Sequence, residues 1–210
     1  KPLVKVLGKE IIFWVLDHLK INQRDKVYIV YNKELDSFDF TDYFGKYPYL
    51  NFLKLNRKTK GPVETIYEIT KILEKNNGNE GILIIDGDTF YKKNIIKSIR
   101  KEYHHVFYHV TKIKEPIFSY IKIKNKKILD IAEKIKISKN ANTGAYYFNN
   151  IKKFNYYANY CLKKNKKSYV SDLYKKLIEN KEIVYAENLK DSEFACLGTP
   201  KQIIEFSKQK

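Results

Sequence analysis

Gly81–Tyr91 reads GILIIDGDTFY, and the break in the middle of it decides the fold. Ile82, Leu83, Ile84 and Ile85 follow one another without the alternation of a half-exposed strand, which predicts a strand packed on both faces of a parallel sheet. The run stops at Asp86-Gly87-Asp88. In open α/β sheets, ligands bind just beyond the carboxyl ends of strands. Two carboxylates flanking a glycine at that place can hold a hard cation through oxygen, and the glycine lets a ligand approach closely. Taken alone, the same tripeptide also serves as a polar strand-to-helix turn.

Outward from this stretch the pattern alternates. Ile11–Lys20 has helical spacing of Ile12, Val15, Leu16 and Leu19, Lys26–Tyr31 reads as a strand, and Leu50–Leu55 as another. Between them Asp36–Pro48 is aromatic and irregular. Pro62 suits the first position of a helix that follows Gly61 and runs to Asn76. Asn94–Lys101 is expected to be helical, and His105–Val110 a strand. This order predicts an α/β sheet with crossover helices. Phe118–Lys124 and Ile128–Ala132 flank Asn125-Lys126-Lys127 as a β-hairpin, and Asn142–Phe148 is a strand. Helices at Ile151–Lys164 and Ser171–Asn180, short strands at Ile183–Asn188 and Glu193–Leu197, and a last helix capped by Thr199-Pro200 complete the chain.

Composition narrows the function classes. The 210 residues suit one domain with its own core, and 43% hydrophobic content argues against disorder. No apolar run is long enough to span a bilayer, and Cys161 and Cys196 fit neither a disulfide framework nor a zinc pattern, so a cytoplasmic setting is expected. The formal charge is +17, yet of 41 basic residues only Arg24, Arg57 and Arg100 are arginine. Nucleic-acid recognition favours arginine's fork, and no aromatic-basic interleaving is present, so no polynucleotide partner is expected. The basic surface suits anionic small molecules instead. His105 and His109 share one face of a strand without a metal-ligand partner, so packing or surface roles are expected; Ser119 and Ser138 have no nucleophile context.

Four pieces occur in a telling order: Lys1-Pro2-Leu3 with Gly8-Lys9, then Gly61-Pro62-Val63-Glu64-Thr65, then Asp86-Gly87-Asp88, then Glu133-Lys134 followed by Asn142-Thr143-Gly144. Together they resemble the sugar-phosphate nucleotidyltransferase family. The likeness is strongest to its small cytidylyltransferases of capsule and surface-polysaccharide synthesis, which activate phosphorylated glutamine, phosphocholine or related acceptors. The resemblance implies a Rossmann-like mixed sheet flanked by helices, with a small β-hairpin acceptor lobe. It implies one domain over 1–210, with residues 1–112 as the nucleotide-binding half and 113–210 as the acceptor-binding half. The family's first strand and Gly-rich triphosphate loop, roughly 20 residues of a βα unit, would stand before Lys1, so the chain is read as the ordered part of a longer protein.

The same resemblance implies roles. Lys1 contacts the phosphates. Gly61, Glu64 and Thr65 pass beside the base, and Asp86 and Gly87 lie at the nucleotide. Asp88 binds Mg²⁺, and Glu133 and Lys134 meet the acceptor, with Lys134 on its phosphate. Asn142, Thr143 and Gly144 close over the acceptor. The implied reaction is Mg²⁺-dependent transfer of a nucleotidyl group, CMP from CTP being favoured, to phosphoglutamine, phosphocholine or a sugar 1-phosphate, with release of pyrophosphate. One departure stands out. Relatives carry a second metal-ligating Asp before a C-terminal Gly-Thr, and here Cys196 precedes Leu197-Gly198-Thr199. A neutral thiol is a poor ligand for a hard cation, which leaves Glu193 or Asp191 as substitutes, or Asp88 with phosphate oxygens alone. A nucleotide-sugar-dependent glycosyltransferase and a non-catalytic nucleotide-binding domain are the rival readings.

Overall fold

The computed structural model describes residues 2–22, 24–33, 47–164 and 168–208. Lys1 and most of the irregular stretch before Pro48 lie outside them. The chain opens with a hairpin, β1 (Lys5–Val6) and β2 (Lys9–Glu10), whose turn holds Leu7 and Gly8 at φ 52° and 79°. Helix α1 (Ile11–His18) follows at once. Its apolar spacing predicts one buried face, but Ile11 to Leu16 are all buried. The reason is that α1 is wedged between two cores: Ile11, Trp14 and Val15 pack with Phe90, Leu197 and Phe206, while Ile12, Phe13 and Leu16 pack with Tyr47 and Leu50. A helix apolar all round is a buried helix. Trp14 satisfies its indole N–H on the Val6 carbonyl at 3.1 Å, as a buried donor must.

Strands β3 (Val27–Asn32) and β4 (Leu50–Leu55) form a separate parallel pair with Val27 opposite Leu50. Helix α2 (Pro62–Asn77) begins on Pro62, as predicted. The remaining strands are β5 (Ile82–Ile85), β6 (Thr89–Tyr91), β7 (His104–Val110), β8 (Ser119–Lys124), β9 (Lys127–Glu133), β10 (Asn140–Phe148), β11 (Val184–Asn188) and β12 (Phe194–Cys196). The predicted helix over Asn94–Lys101 is only a 3₁₀ turn at Ile96–Ser98. Asn94 accepts the Lys97 N–H through its side chain, and Ile99 is already in extended backbone where it packs beside the buried Ile95, so the turn goes no further.

Six strands make the main sheet in the order β5-β10-β7-β11-β9-β8. It is mixed rather than wholly parallel: β10 runs antiparallel to β5 and β7, whereas β7 and β11 are parallel. The predicted hairpin is present, and its turn puts Asn125 and Lys126 at φ 51° and 62°, the positive-φ pair of a type I′ turn. Tyr120 of β8 also meets Ala141 of β10, so the hairpin occupies the edge of β10 that β5 pairs further along. The unbroken apolar run of β5 serves two cores. Ile82 and Ile84 join the cluster under helices α3 (Ile151–Lys164) and α4 (Val170–Glu179), while Leu83 and Ile85 join the one around Tyr91, Phe107 and Leu189. The last helix, α5 (Pro200–Ser207), is capped by Thr199, whose hydroxyl accepts the Gln202 N–H. No helix among the described residues is long and apolar enough to cross a membrane.

On the α3–α4 face, Tyr174 is fully buried with its hydroxyl in reach of the carbonyls of His105 (3.0 Å) and Tyr147 (2.7 Å). His104 is 1% exposed, stacks edge-on against Phe148, and leaves its Nε2 without a partner. Burial, helped by the charge of Lys153, lowers its pKa from 6.5 to about 4. The folded state thus refuses a proton that the unfolded chain accepts. Stability from this residue is complete above pH 6.5 and is lost as pH falls from 6.5 to about 4, a change of about 3 kcal/mol. Urea midpoints at pH 7.5, 5.5 and 4.5 for the wild type and for His104→Gln measure this directly. The gap between the two proteins is expected to shift in favour of the variant as pH falls, which separates His104 from other groups titrating in that window.

Candidate active site

The carboxyl ends of β5 and β7 and the amino-terminal half of β10 share one edge of the sheet, because β10 opposes both neighbours. There β10 departs from regular pairing. Asn142 opposes Tyr108 and Tyr146 opposes Val106, so residues Thr143, Gly144 and Ala145 span a gap that a single residue of β7 fills. Such a bulge re-aims the chain beside a site. Its conformation is held from several directions. Gly144 sits at φ 86°, its N–H donates to Asn142 Oδ1 at 2.8 Å, Thr143 Oγ1 donates to the Phe107 carbonyl at 3.0 Å, and the buried Tyr91 hydroxyl donates to the Thr143 carbonyl at 2.7 Å. Tyr91 was not among the residues expected at the site; its place in the FY pair after the acidic turn was the available signal.

The bulge carries the acidic turn. The Asp86 N–H donates to the Gly144 carbonyl at 2.9 Å, and the Asp86 side chain lies against the Gly144 Cα. A Cβ on Gly144 would strike the Asp86 carboxylate, with Cγ at 2.9 Å. Glycine is therefore required twice here, for its backbone angle and for its missing side chain. Asp88 is fixed from the other side. The Leu197 N–H donates to its carbonyl at 2.7 Å, and Thr89 of β6 pairs with Cys196 of β12. A Cβ on Gly198 would stand 2.7 Å from Asp88 Oδ2 and 3.6 Å from Cys196 Sγ. Cys196 thus lies beside Asp88. Burial first, and the nearby Asp88 charge among other causes, raise the Cys196 pKa, so the sulfur is a neutral thiol at pH 7. Pro2 is the neighbour that a Cβ on Gly87 would meet, at 3.3 Å, so the start of the described chain runs past the acidic turn.

Glu133 joins the same field. Asp86 is exposed to solvent on one side yet ringed by protein on the others. Burial, then the charges of Asp88 and Glu133, push its pKa up to about 7. Carboxylates whose charges act on one another in this way call for a cation. Mg²⁺ is commonly held by one or two carboxylates together with substrate phosphates and water, and Asp88 with Asp86 beside it fits that mode. The set does not form an all-protein cage, and among the described residues no group of three or more His, Cys, Asp or Glu is placed to hold a metal. The carboxylate of Glu193 accepts the Lys190 N–H at 2.9 Å and pairs with Lys93 at 3.5 Å, so it already has cationic and N–H partners of its own.

At the end of β9, Glu133 Oε2 accepts a hydrogen bond from Ser171 Oγ at 2.7 Å, and Lys134, at φ 52°, donates its N–H to the Phe118 carbonyl at 2.9 Å. Ser119, opposite Glu133, meets the Tyr146 hydroxyl at 3.1 Å. The structure therefore puts Asp86 in direct contact with Gly144 of the bulge that Asn142 and Thr143 help to hold, keeps Gly87 and Asp88 in the same turn, and places Glu133 within electrostatic reach of Asp86. Gly61, Glu64 and Thr65 form a different assembly. Arg57 grips Glu64 and Glu68 at 2.8 and 2.9 Å, the Lys60 N–H reaches Glu64 Oε2 at 2.5 Å, and Thr59 and Thr65 hydroxyls meet at 2.6 Å. These contacts strap the loop 57–61 onto the first turns of α2. His105 is buried, as expected of a packing residue. His109 contacts Asp191 at 3.0 Å and the rings of Phe118 and Phe194.

Comparison with known proteins gives the family and the fold. A family model described as nucleotidyl transferase matches residues 1–210. Solved structures share the fold over nearly all of the chain at low identity. A nucleoside-diphosphate-sugar pyrophosphorylase from Vibrio cholerae superposes with a TM-score of 0.84 at 17% identity, covering 100% of this chain and 91% of its own. A putative glucose-1-phosphate thymidylyltransferase from Bacillus anthracis gives 0.76 at 19%, covering 100% and 85%. The CTP:phosphocholine cytidylyltransferase of Streptococcus pneumoniae gives 0.75 at 17%, covering 99% and 88%. No curated protein matches by sequence.

The bulge makes a prediction independent of any ligand. Gly144→Ala adds a left-handed alanine, worth about 1–2 kcal/mol, and pushes the Asp86 carboxylate aside. A urea titration is expected to show a lower midpoint and an unfolding free energy reduced by about that amount. An unchanged midpoint would mean that the bulge relaxes freely and does not fix Asp86.

Proposed function

The chain belongs to the nucleotidyl transferase family, and on that premise we propose that it transfers a nucleotidyl group from a nucleoside triphosphate to a phosphorylated small acceptor, releasing pyrophosphate. One observation carries the assignment of the site: the Asp86-Gly87-Asp88 turn is hydrogen-bonded to the β10 bulge, beside the Glu133–Lys134 strand end.

In this reading an oxygen of the acceptor phosphate attacks the α-phosphorus in line. The bond from the α-phosphorus to its bridging oxygen breaks, and pyrophosphate leaves. A phosphate dianion needs no base to deprotonate it, so the protein's work is positioning and charge neutralisation. Lys134 draws the acceptor phosphate in, and Lys1 has the family's role of contacting the triphosphate. Asp88, with Asp86 beside it, would hold Mg²⁺, which supplies neutralisation of the phosphate oxygens during transfer. The bulge at Asn142, Thr143 and Gly144 closes over the acceptor, and the α2 start at Gly61, Glu64 and Thr65 lies along the base. Residues 1–112 then form the nucleotide-binding half and 113–210 the acceptor-binding half.

CTP is the favoured donor, and phosphoglutamine, phosphocholine or a sugar 1-phosphate the acceptor, in capsule or surface-polysaccharide synthesis in the cytoplasm. The cytidylyltransferase among the structural neighbours supports CTP, whereas the pyrophosphorylase and thymidylyltransferase beside it keep other bases in the test. A glycosyltransferase would also use an acidic pair after a buried strand, but would leave the Glu133–Lys134 and Asn142–Gly144 pieces without a task.

Pyrophosphate release, with CTP, UTP, GTP, ATP and dTTP each crossed against these acceptors in Mg²⁺, tests the proposal. One pair is expected to turn over, and chelating the metal to stop it. Asp88→Asn is expected to lower kcat at least a hundredfold while the melting temperature stays near the wild type. Near-normal turnover of that variant would remove Asp88 from the metal.

A further inference from the structure

We propose that Tyr169 is a positioning residue that holds the ammonium of Lys134 ready for the acceptor phosphate; the inference rests on the reading of Lys134 given above. Lys134 follows the last residue of β9 with its backbone at φ 52°, a left-handed conformation that takes its side chain out of the strand's alternation. Its Nζ lies 5.4 Å from the centre of the Tyr169 ring, within cation–π range. Tyr169 is the residue before α4, and its N–H donates to Asp172 Oδ2 at 2.7 Å. Two residues on, Ser171 grips Glu133. One helix turn thus orients both members of the Glu133–Lys134 pair.

The kind of contact matters. Among the described residues no carboxylate lies within ion-pair distance of Lys134 Nζ; the neighbouring Glu133 is bonded to Ser171 instead. A carboxylate partner would hold the lysine but cancel its charge. An aromatic face holds the ammonium and leaves the charge for an incoming anion. It also limits the rotamer freedom that a free lysine loses on binding. Leu173, Tyr174 and Leu177 anchor α4 in the core with 0% exposure, and the Tyr169 bond to Asp172 comes from its backbone N–H, which any residue at 169 but proline keeps.

The test reads Lys134 itself. Protection of Lys134 from reductive methylation, followed by peptide mass spectrometry, is titrated with inorganic phosphate and with phosphocholine. Tyr169→Leu is expected to need about fivefold more of either probe for half-protection. Tyr169→Phe is expected to match the wild type, and Tyr169→Trp to need less, with melting temperatures unchanged in all three. Equal protection in the wild type and Tyr169→Leu overturns the proposal while leaving Lys134 as a phosphate group. A Phe variant that behaves like the Leu variant overturns it too, since the hydroxyl would then be responsible. A wild-type Lys134 that neither probe protects overturns the acceptor reading of Lys134, and this proposal with it.

Discussion

The hydrogen bond from the Asp86 N–H to the Gly144 carbonyl is the constraint on which the site depends. It joins the end of β5 to the one place where β10 abandons regular pairing, so the acidic turn cannot shift without disturbing the bulge. The bulge in turn is tied to β7 through Thr143, to its own strand through Asn142, and to β6 through Tyr91. A site built this way is held by the backbone of the sheet rather than by a loop. This is what chemistry based on positioning requires, because an ångström of slack at the reacting groups is costly.

The electrostatics follow from that rigidity. Asp86, Asp88 and Glu133 are held close enough for their charges to raise the proton affinity of Asp86, and the fold accepts the repulsion because its hydrogen bonds fix the backbone beneath. Like charges held together in this way stay poised for a cation and for the groups the cation brings. The lysine-rich surface acts on a longer scale. A +17 chain raises the local concentration of polyanions, while the short-range order at the site decides which of them can react.

Much of this was legible in the sequence, and the rest shows what a linear reading lacks. The four-residue apolar run of β5, the Asn125-Lys126 turn and the Pro62 helix start each rest on local rules and each is found in its place, although β5 pairs antiparallel with β10 at the end of a mixed sheet rather than within a parallel one. Local rules failed where tertiary packing sets the outcome. In Asn94–Lys101 the core takes Ile95 and Ile99 with Ile99 already in extended backbone, so only a 3₁₀ turn forms. Helix α1 shows one apolar face by spacing, yet two cores converge on it. At the site, Gly144 could be singled out but its reason could not, because the clash that forbids a Cβ comes from Asp86, 58 positions earlier in the chain. Ser171 and Tyr169 were invisible for a related cause, and Tyr91 was marked only by its place after the acidic turn: their importance lies in partners that only the folded chain supplies.

Cys196 is the point where local sequence and three-dimensional structure say the most together. The sequence marks a thiol where a carboxylate is expected, and the fold then puts that thiol beside Asp88, so the replacement is not offset by a shifted register. A neutral sulfur adds no negative charge next to Asp88, and hard cations prefer oxygen. Any Mg²⁺ held at this turn must therefore take more of its coordination from substrate phosphates than a two-carboxylate site would demand. Metal and nucleotide would then bind as one unit, each weak without the other. Such coupling would fit a turn where the charges of Asp88 and Glu133 reach Asp86 while, among the described residues, no three acidic, His or Cys side chains are placed as a cage.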